Sequence, residues 1–229
     1  MSFLQVEKLN KVYEQSKTVK VQALKDVDLE IGKGEFVAIS GPSGSGKTTL
    51  LNLIGGLDSA TSGHIHIDDH QITELKEKAL ADVRLRHIGF IFQAYNLIPV
   101  LTAMENIEYV MMLQGVPEKE RREKARHIAG HLGIEDLLNK LPNEMSGGQQ
   151  QRVAVARSIV SEPQLVLADE PTANLDSKTG EKLIDLMHEL NIEKKITFIF
   201  STHDKMVMEK AKRQIVLRDG QVVDDKHNG

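Results

Sequence analysis

The chain has 229 residues, with 29 lysine and arginine against 33 aspartate and glutamate, and its net charge of −4 favours no nucleic acid as partner. It has no cysteine, which excludes disulfides and thiolate metal sites and suits a reducing compartment. No apolar run reaches the roughly 18–20 residues that span a bilayer, and Met1-Ser2-Phe3-Leu4-Gln5-Val6-Glu7-Lys8 lacks a signal peptide's apolar core, so a membrane role requires a partner.

In chain order, Phe3-Leu4-Gln5-Val6 and Val27-Asp28-Leu29-Glu30-Ile31 alternate apolar with polar residues, as half-buried strands do. Phe36-Val37-Ala38-Ile39 is continuously apolar and reads as a buried strand. It runs into Gly41-Pro42-Ser43-Gly44-Ser45-Gly46-Lys47-Thr48-Thr49, the spacing G-x-x-x-x-G-K-[ST] of a phosphate-binding loop. Glycines there let successive N–H groups turn inward towards phosphate oxygens. Lys47 adds a point charge for the β- and γ-phosphates, and the Thr48 hydroxyl suits Mg²⁺. The run from Thr49 to Ile54 continues as a helix whose N-terminus faces the phosphates. A nucleoside triphosphate is therefore expected here; a glycine-rich turn that binds nothing would not need the lysine.

After the turn signal Thr61-Ser62-Gly63, the run His64-Ile65-His66-Ile67-Asp68 alternates again. Thr102-Ala103-Met104-Glu105 opens a helix with a capping box, and Pro117 introduces a charged helix through Lys124 that reads as a solvated face. Between Tyr95 and Leu113 the apolar residues outnumber what one helix face can bury; some must pack on the core, and the surplus predicts an exposed patch for a partner unless the lobe packs all of them internally. Ser146-Gly147-Gly148-Gln149 is a second capping box ahead of a helix. Two glycines in that first turn each cost about 1 kcal/mol relative to alanine, which makes sense if an anion approaches the backbone. Leu165-Val166-Leu167-Ala168-Asp169-Glu170 is an apolar strand ending in two carboxylates, a costly arrangement unless a cation or proton shares the site. A last buried strand, Ile196 to Phe200, precedes His203.

Ser-Gly-Gly-Gln following a phosphate-binding loop in a chain of this size resembles the ATP-binding cassette (ABC) ATPases, and the likeness extends from about Leu4 to Val223. The resemblance implies a P-loop NTPase of ABC type. Its α/β fold has a mostly parallel core sheet, an N-terminal antiparallel β-subdomain and a helical insertion. One domain, 1–229, is expected, with its core at about 1–98 and 142–229 and the helical subdomain at about 99–141. It implies ATP and Mg²⁺, with Asp169, Thr48 and Gln93 at the metal. Glu170 is then the base or orienter of the attacking water, His203 contacts the γ-phosphate, and Tyr13 stacks on adenine, although core packing competes for Tyr13. Ala173-Asn174-Leu175-Asp176 resembles the loop that runs along a partner subunit. Two copies are implied, head to tail, with each ATP between one P-loop and the other copy's Ser146-Gly147-Gly148-Gln149.

Gly55-Gly56-Leu57-Asp58, Ile91-Phe92-Gln93-Ala94-Tyr95-Asn96-Leu97-Ile98-Pro99 and Leu167-Ala168-Asp169-Glu170-Pro171-Thr172-Ala173-Asn174-Leu175-Asp176 are similar to one subgroup, which serves lipoprotein release, macrolide export, antimicrobial-peptide resistance and cell division. It implies a permease partner and a peripheral place on the cytoplasmic face of the inner membrane. An uptake ATPase, a soluble ABC protein acting on nucleic acid or ribosomes, and a regulatory cassette that only binds ATP remain as other readings. The second would require a coiled-coil insertion or two cassettes, and Glu170 with His203 speaks against the third.

Overall fold

Alternation near the N-terminus builds an antiparallel hairpin in the computed structural model, which describes residues 2–14 and 20–227. Strand β1 (Leu4–Glu14) pairs with β2 (Lys20–Ile31), placing Leu4 opposite Ile31 and Val6 opposite Leu29, all four buried. Both strands run longer than their alternating segments predict, because charged residues occupy their outer stretches. Strand β4 (Ser62–Ile67) lies on the other side of β1 and β5 (His70–Gln71) beyond it, giving the order β2-β1-β4-β5. This is the expected antiparallel subdomain.

The apolar run before the phosphate loop is β3 (Phe36–Ser40), buried at every position. It is flanked in parallel by β8 (Thr197–Ser201) and β9 (Arg213–Arg218), and β10 (Gln221–His227) closes that edge antiparallel to β9. Burial on both faces explains the unbroken apolar sequence of β3 and β8. Phe36, Phe198 and Phe200 fill the space between elements, with the Phe36 and Phe200 ring centroids 4.6 Å apart. These elements, with α1 (Lys47–Ile54), belong to a compact unit made of Met1–Arg84 and Thr197–Gly229.

The second unit is Leu85–Ile196. Helix α2 (Glu77–His87) leads into β6 (Ile88–Ile91), which pairs in parallel with β7 (Leu165–Asp169). Three helices follow: α3 (Ala103–Leu113) and α5 (Gly147–Ile159) start at the two capping boxes, and α4 (Glu118–His131) starts after Pro117 with no side-chain cap. Thr102 caps α3 by accepting from the Glu105 N–H at 3.3 Å, while the Glu105 carboxylate accepts from the Thr102 N–H at 2.8 Å. The charged sequence of α4 is a solvated face carrying Glu118–Arg122 and Glu120–Lys124 pairs, with Ala125, Ile128 and Ala129 turned inward. Asn106, fully buried, fastens the segment before α3: its Oδ1 accepts from Ile98 N, and its Nδ2 donates to the carbonyls of Ile98, Leu101 and Thr102. Helices α6 (Ser177–Lys194) and α7 (Lys205–Lys210) complete the elements. Among the described residues, no helix is long and apolar enough to cross a membrane.

Candidate functional site

In the first unit, the phosphate loop leaves β3 at Gly41, and His203 lies two residues beyond Ser201, whose strand neighbour is Ile39. Both therefore emerge from the carboxyl edge of parallel strands, where α/β folds place ligands. Gly41 has φ +150, and a Cβ there would lie 2.0 Å from the Leu217 carbonyl oxygen; Gly46 has φ +102, with the Ala23 carbonyl 2.6 Å from its missing Cβ. No other residue type fits either place. Pro42, Ser43, Gly44 and Thr48 line the exposed side of the loop. Lys47 is buried, and its Nζ arches over the loop to donate to the carbonyls of Gly41 at 2.8 Å and Pro42 at 3.0 Å. Helix α1 begins at Lys47 with no side-chain cap and no acidic residue in its first turn. The buried Ser45 hydroxyl has no hydrogen-bond partner among the described residues. An uncapped helix N-terminus, a buried cation and an unsatisfied hydroxyl together fit an anion of phosphate type. His203 is exposed; Asp204 beside it caps α7 by accepting from Met206 N at 3.0 Å.

Tyr13, near the end of β1, is 38% exposed, so it is not a core residue. Its hydroxyl donates to Asp58 Oδ2 at 2.8 Å. Thr49, in the first turn of α1, also hydrogen-bonds the Tyr13 hydroxyl.

In the second unit, β6 and β7 run side by side with Ile91 opposite Ala168. Gln93 and the pair Asp169–Glu170 consequently leave the sheet at the same edge. Gln93 is exposed and both acids are half-buried. Glu170 has φ +47, a left-handed conformation rare for a residue with a Cβ and concentrated at functional sites. Gln151, fully buried on α5, donates to the Pro171 carbonyl at 2.8 Å and so braces the turn that carries Glu170. Among the described residues no three His, Asp or Glu side chains form a metal cage. The half-buried carboxylate of Asp169 at the end of β7 is of a kind that suits magnesium, which takes most of its ligands from waters and substrate phosphates.

The same unit carries the serine–glycine–glycine helix start. Ser146 and Gln149 form the capping box, with Gln149 Oε1 accepting from Ser146 N at 2.9 Å and Ser146 Oγ from Gln149 N at 3.4 Å. Gly147 and Gly148 present bare backbone beside this cap and line a cavity of about 520 Å³ with Asn174, Asp176 and Thr179. Asn174 donates to the Gln93 carbonyl at 2.8 Å and hydrogen-bonds the Tyr95 hydroxyl. That hydroxyl stands 2.8 Å from where a Gly147 Cβ would lie. Arg157 of α5 donates to the carbonyls of Tyr95 at 2.8 Å and Asn96 at 2.6 Å, holding two residues with φ +60 and +49. Three segments far apart in sequence are thereby joined into one network. Sequence reasoning missed Gln151 and Arg157 because their partners are backbone carbonyls, which leave no mark in sequence; helical position was the only signal.

The family model described as ABC transporter matches residues 24–173, more than half of the chain. The bacitracin export ATP-binding protein BceA of Halalkalibacterium halodurans is 42% identical over 229 residues, covering 100% of this chain and 90% of that protein. The macrolide export ATP-binding/permease protein MacB of Aggregatibacter actinomycetemcomitans is 42% identical over 98% of this chain, which spans 35% of that longer protein. Among solved structures, the cassette MJ0796, whose sequence comes from Methanocaldococcus jannaschii, matches with TM-score 0.93 and 42% identity over 99% of both chains, as a dimer in a post-hydrolysis state bound to ADP and Pi. The phosphate loop, the glycine-rich helix start and the two strand-end acids thus sit in a fold shared over almost its whole length with cassettes of known kind, and the chain belongs to the ABC transporter family as an ATP-binding, ATP-hydrolysing cassette.

Proposed function

We propose that two copies of this chain close head to tail around two ATP molecules and that hydrolysis reopens them to drive a permease of export or mechanotransmission type. The observation that carries this reading is the start of α5: a helix N-terminus satisfied by its own capping box, stripped of side chains at Gly147 and Gly148, and open onto a cavity. Such an end offers N–H groups and positive dipole to an anion brought from outside. The dimeric MJ0796 cassette holding ADP and Pi supports the same reading.

In this scheme Lys47 exchanges its loop carbonyls for the β- and γ-phosphates, and Gly41 to Thr49 cradle them through backbone N–H groups. Thr48, Asp169 and Gln93 would hold Mg²⁺, which neutralises phosphate charge when bound. Glu170 accepts the proton of the attacking water as its oxygen bonds to the γ-phosphorus and the bond to the β-phosphate oxygen breaks. His203 donates to the γ-phosphate. Catalysis is positioning and electrostatics, with no covalent intermediate.

The helical lobe at about residues 99–141 would meet the permease. Of the apolar residues between Tyr95 and Leu113, Ile107 and Met111 are buried, whereas Val100, Met112 and Leu113 are 78%, 45% and 55% exposed, a smaller patch than the sequence suggests. BceA and MacB are named as export proteins, and MacB joins cassette and permease in one chain. The corresponding place for this chain is the cytoplasmic face of the inner membrane, held through its permease.

Size-exclusion chromatography of Glu170→Gln with Mg·ATP tests the proposal. The variant keeps the side chain's size and leaves the backbone position, with φ +47, otherwise unchanged. Hydrolysis is expected to fall by about 10²–10⁴-fold, the usual worth of a general base, while a dimer accumulates. A variant that hydrolyses at the wild-type rate and stays monomeric overturns both the base and the closure.

A further inference from the structure

Asp58 ends the Gly55-Gly56-Leu57-Asp58 motif, to which the scheme above gives no task. Its two carboxylate oxygens are divided between two partners: Oδ1 accepts from Lys11 Nζ at 2.7 Å and Oδ2 from the Tyr13 hydroxyl at 2.8 Å. Lys11 and Tyr13 stand two residues apart on β1 and share a face of the strand. Lys11 is 8% exposed, donates a second bond to the Ser59 carbonyl at 2.6 Å, and its Nζ lies 4.7 Å from the centre of the Tyr13 ring. Burying that ammonium is costly without a partner, and Asp58 supplies one. Burial alone would raise the Asp58 carboxyl, but hydrogen bonds from Lys11, Tyr13 and Ser59 outweigh it and hold the group below its ordinary value.

The result is a tyrosine whose orientation is over-determined. A cation covers one face of the ring, leaving the other for a flat ligand. The hydroxyl is anchored by Asp58 and, through Thr49, to the first turn of α1. That second anchor relates the ring to the phosphate loop, from which any base attached to a bound triphosphate must hang. A ring held this way loses little freedom on stacking, whereas a free one pays to be ordered.

We propose that Asp58 and Lys11 are positioning residues that hold the Tyr13 ring as the platform for the nucleobase. The inference rests on the reading of Tyr13 as the base-stacking residue and adds what fixes it. A latch that merely ties β1 to the turn at Asp58–Ser59 would use the same bonds but would not distinguish ligands with and without a base.

The test uses the whole chain with Mg·ATP and with inorganic triphosphate, measuring both affinities by calorimetry together with KM and kcat. Tyr13→Ala is expected to weaken ATP by about tenfold or more, the range of base–aromatic stacking, and to spare triphosphate. Tyr13→Phe, which keeps the ring, and Asp58→Asn should each raise KM for ATP by about three- to tenfold, part of that stacking contribution. The change should fall on KM and not on kcat, and the double variant should lose less than the product of the two single losses, because the Asp58–Tyr13 bond is common to both. If Tyr13→Ala weakens ATP while Tyr13→Phe and Asp58→Asn match wild type, the positioning role is overturned and the platform stands. If Tyr13→Ala weakens ATP and triphosphate equally, the platform itself fails. If Asp58→Asn weakens both ligands alike and lowers the melting temperature, the cluster is a structural latch and the inference is wrong.

Discussion

Gly147 and Gly148 occupy the first turn of α5, where helix propensity alone says that alanine stabilises by up to about 1 kcal/mol at each position. The surroundings change that sign at one of them. A Cβ on Gly148 would lie 2.9 Å from Thr179 Cγ2 and 3.7 Å from Leu175 Cδ2. Carbon atoms pack at about 3.5–4.0 Å, and Thr179 is a short branched side chain anchored in the first turn of α6, so it yields only with its backbone. Overpacking of this kind costs about 1–3 kcal/mol, which exceeds the helical gain. Gly148→Ala should therefore be less stable by about 1 kcal/mol and melt about 2–4 °C lower. At Gly147 the obstacle is the Tyr95 hydroxyl, 2.8 Å away at the tip of a movable side chain. Swinging it aside breaks its bond to Asn174, worth about 1 kcal/mol, so Gly147→Ala should match wild type within about 0.5 kcal/mol after the helical gain. In both variants a methyl group stands beside the N–H groups that the proposed closure offers to the partner's nucleotide. Placed in the Glu170→Gln background, each should weaken Mg·ATP-dependent dimerisation about tenfold, which lies within the upper range of a helix-terminus anion contact. Denaturant titration gives the first quantity and sedimentation velocity the second. If Gly147→Ala gains about 1 kcal/mol and dimerises as readily as its parent, close approach of an anion is not why these glycines are present.

Lys47→Ala should abolish tight ATP binding, since two charge-assisted bonds at about 1.5–3 kcal/mol each are lost; near-normal affinity by calorimetry would contradict the phosphate-loop assignment. Met112→Glu with Leu113→Glu should uncouple the permease without altering basal ATP hydrolysis, because neither residue touches the nucleotide machinery; unchanged transport in reconstituted vesicles would place the docking surface elsewhere. Arg213, buried between Asp225 (2.7 and 2.8 Å) and Glu35 (3.0 Å), holds the Asp225 carboxyl below its ordinary value through its hydrogen bonds. The resulting stability is present above the unfolded carboxylate value of about 3.9 and is lost as pH falls through the lower folded value. Asp225→Asn should cost about 1 kcal/mol at pH 7, reduced by solvent screening of the half-exposed carboxylate, and should flatten the loss of stability on acidification below about pH 4; an acid limb as steep as wild type would assign that loss to other groups.

Features whose physics is local were legible in the sequence. The G-x-x-x-x-G-K-[ST] spacing, the capping boxes at Thr102–Glu105 and Ser146–Gln149, and the apolar runs before Gly41, Glu170 and His203 each depend on residues within one turn or strand. Their order along the chain was enough to identify the family. Helix α2 was not legible because Val83 is its only buried residue and no apolar stripe marks it. The β9–β10 pair was missed because β10 is largely exposed and charged. The sequence also carried Asp58, Asn174 and Arg213 without saying what they do. Their partners, Tyr13, the Gln93 carbonyl and Glu35, lie 45, 81 and 178 positions away. Chain separation of that size carries no periodicity. Only folding brings an Asp58 oxygen to a phenol, or turns Asn174 towards a backbone carbonyl that every residue type shares. Local pattern thus determined what this protein binds and breaks, while the tertiary structure decided which side chains hold that machinery in place.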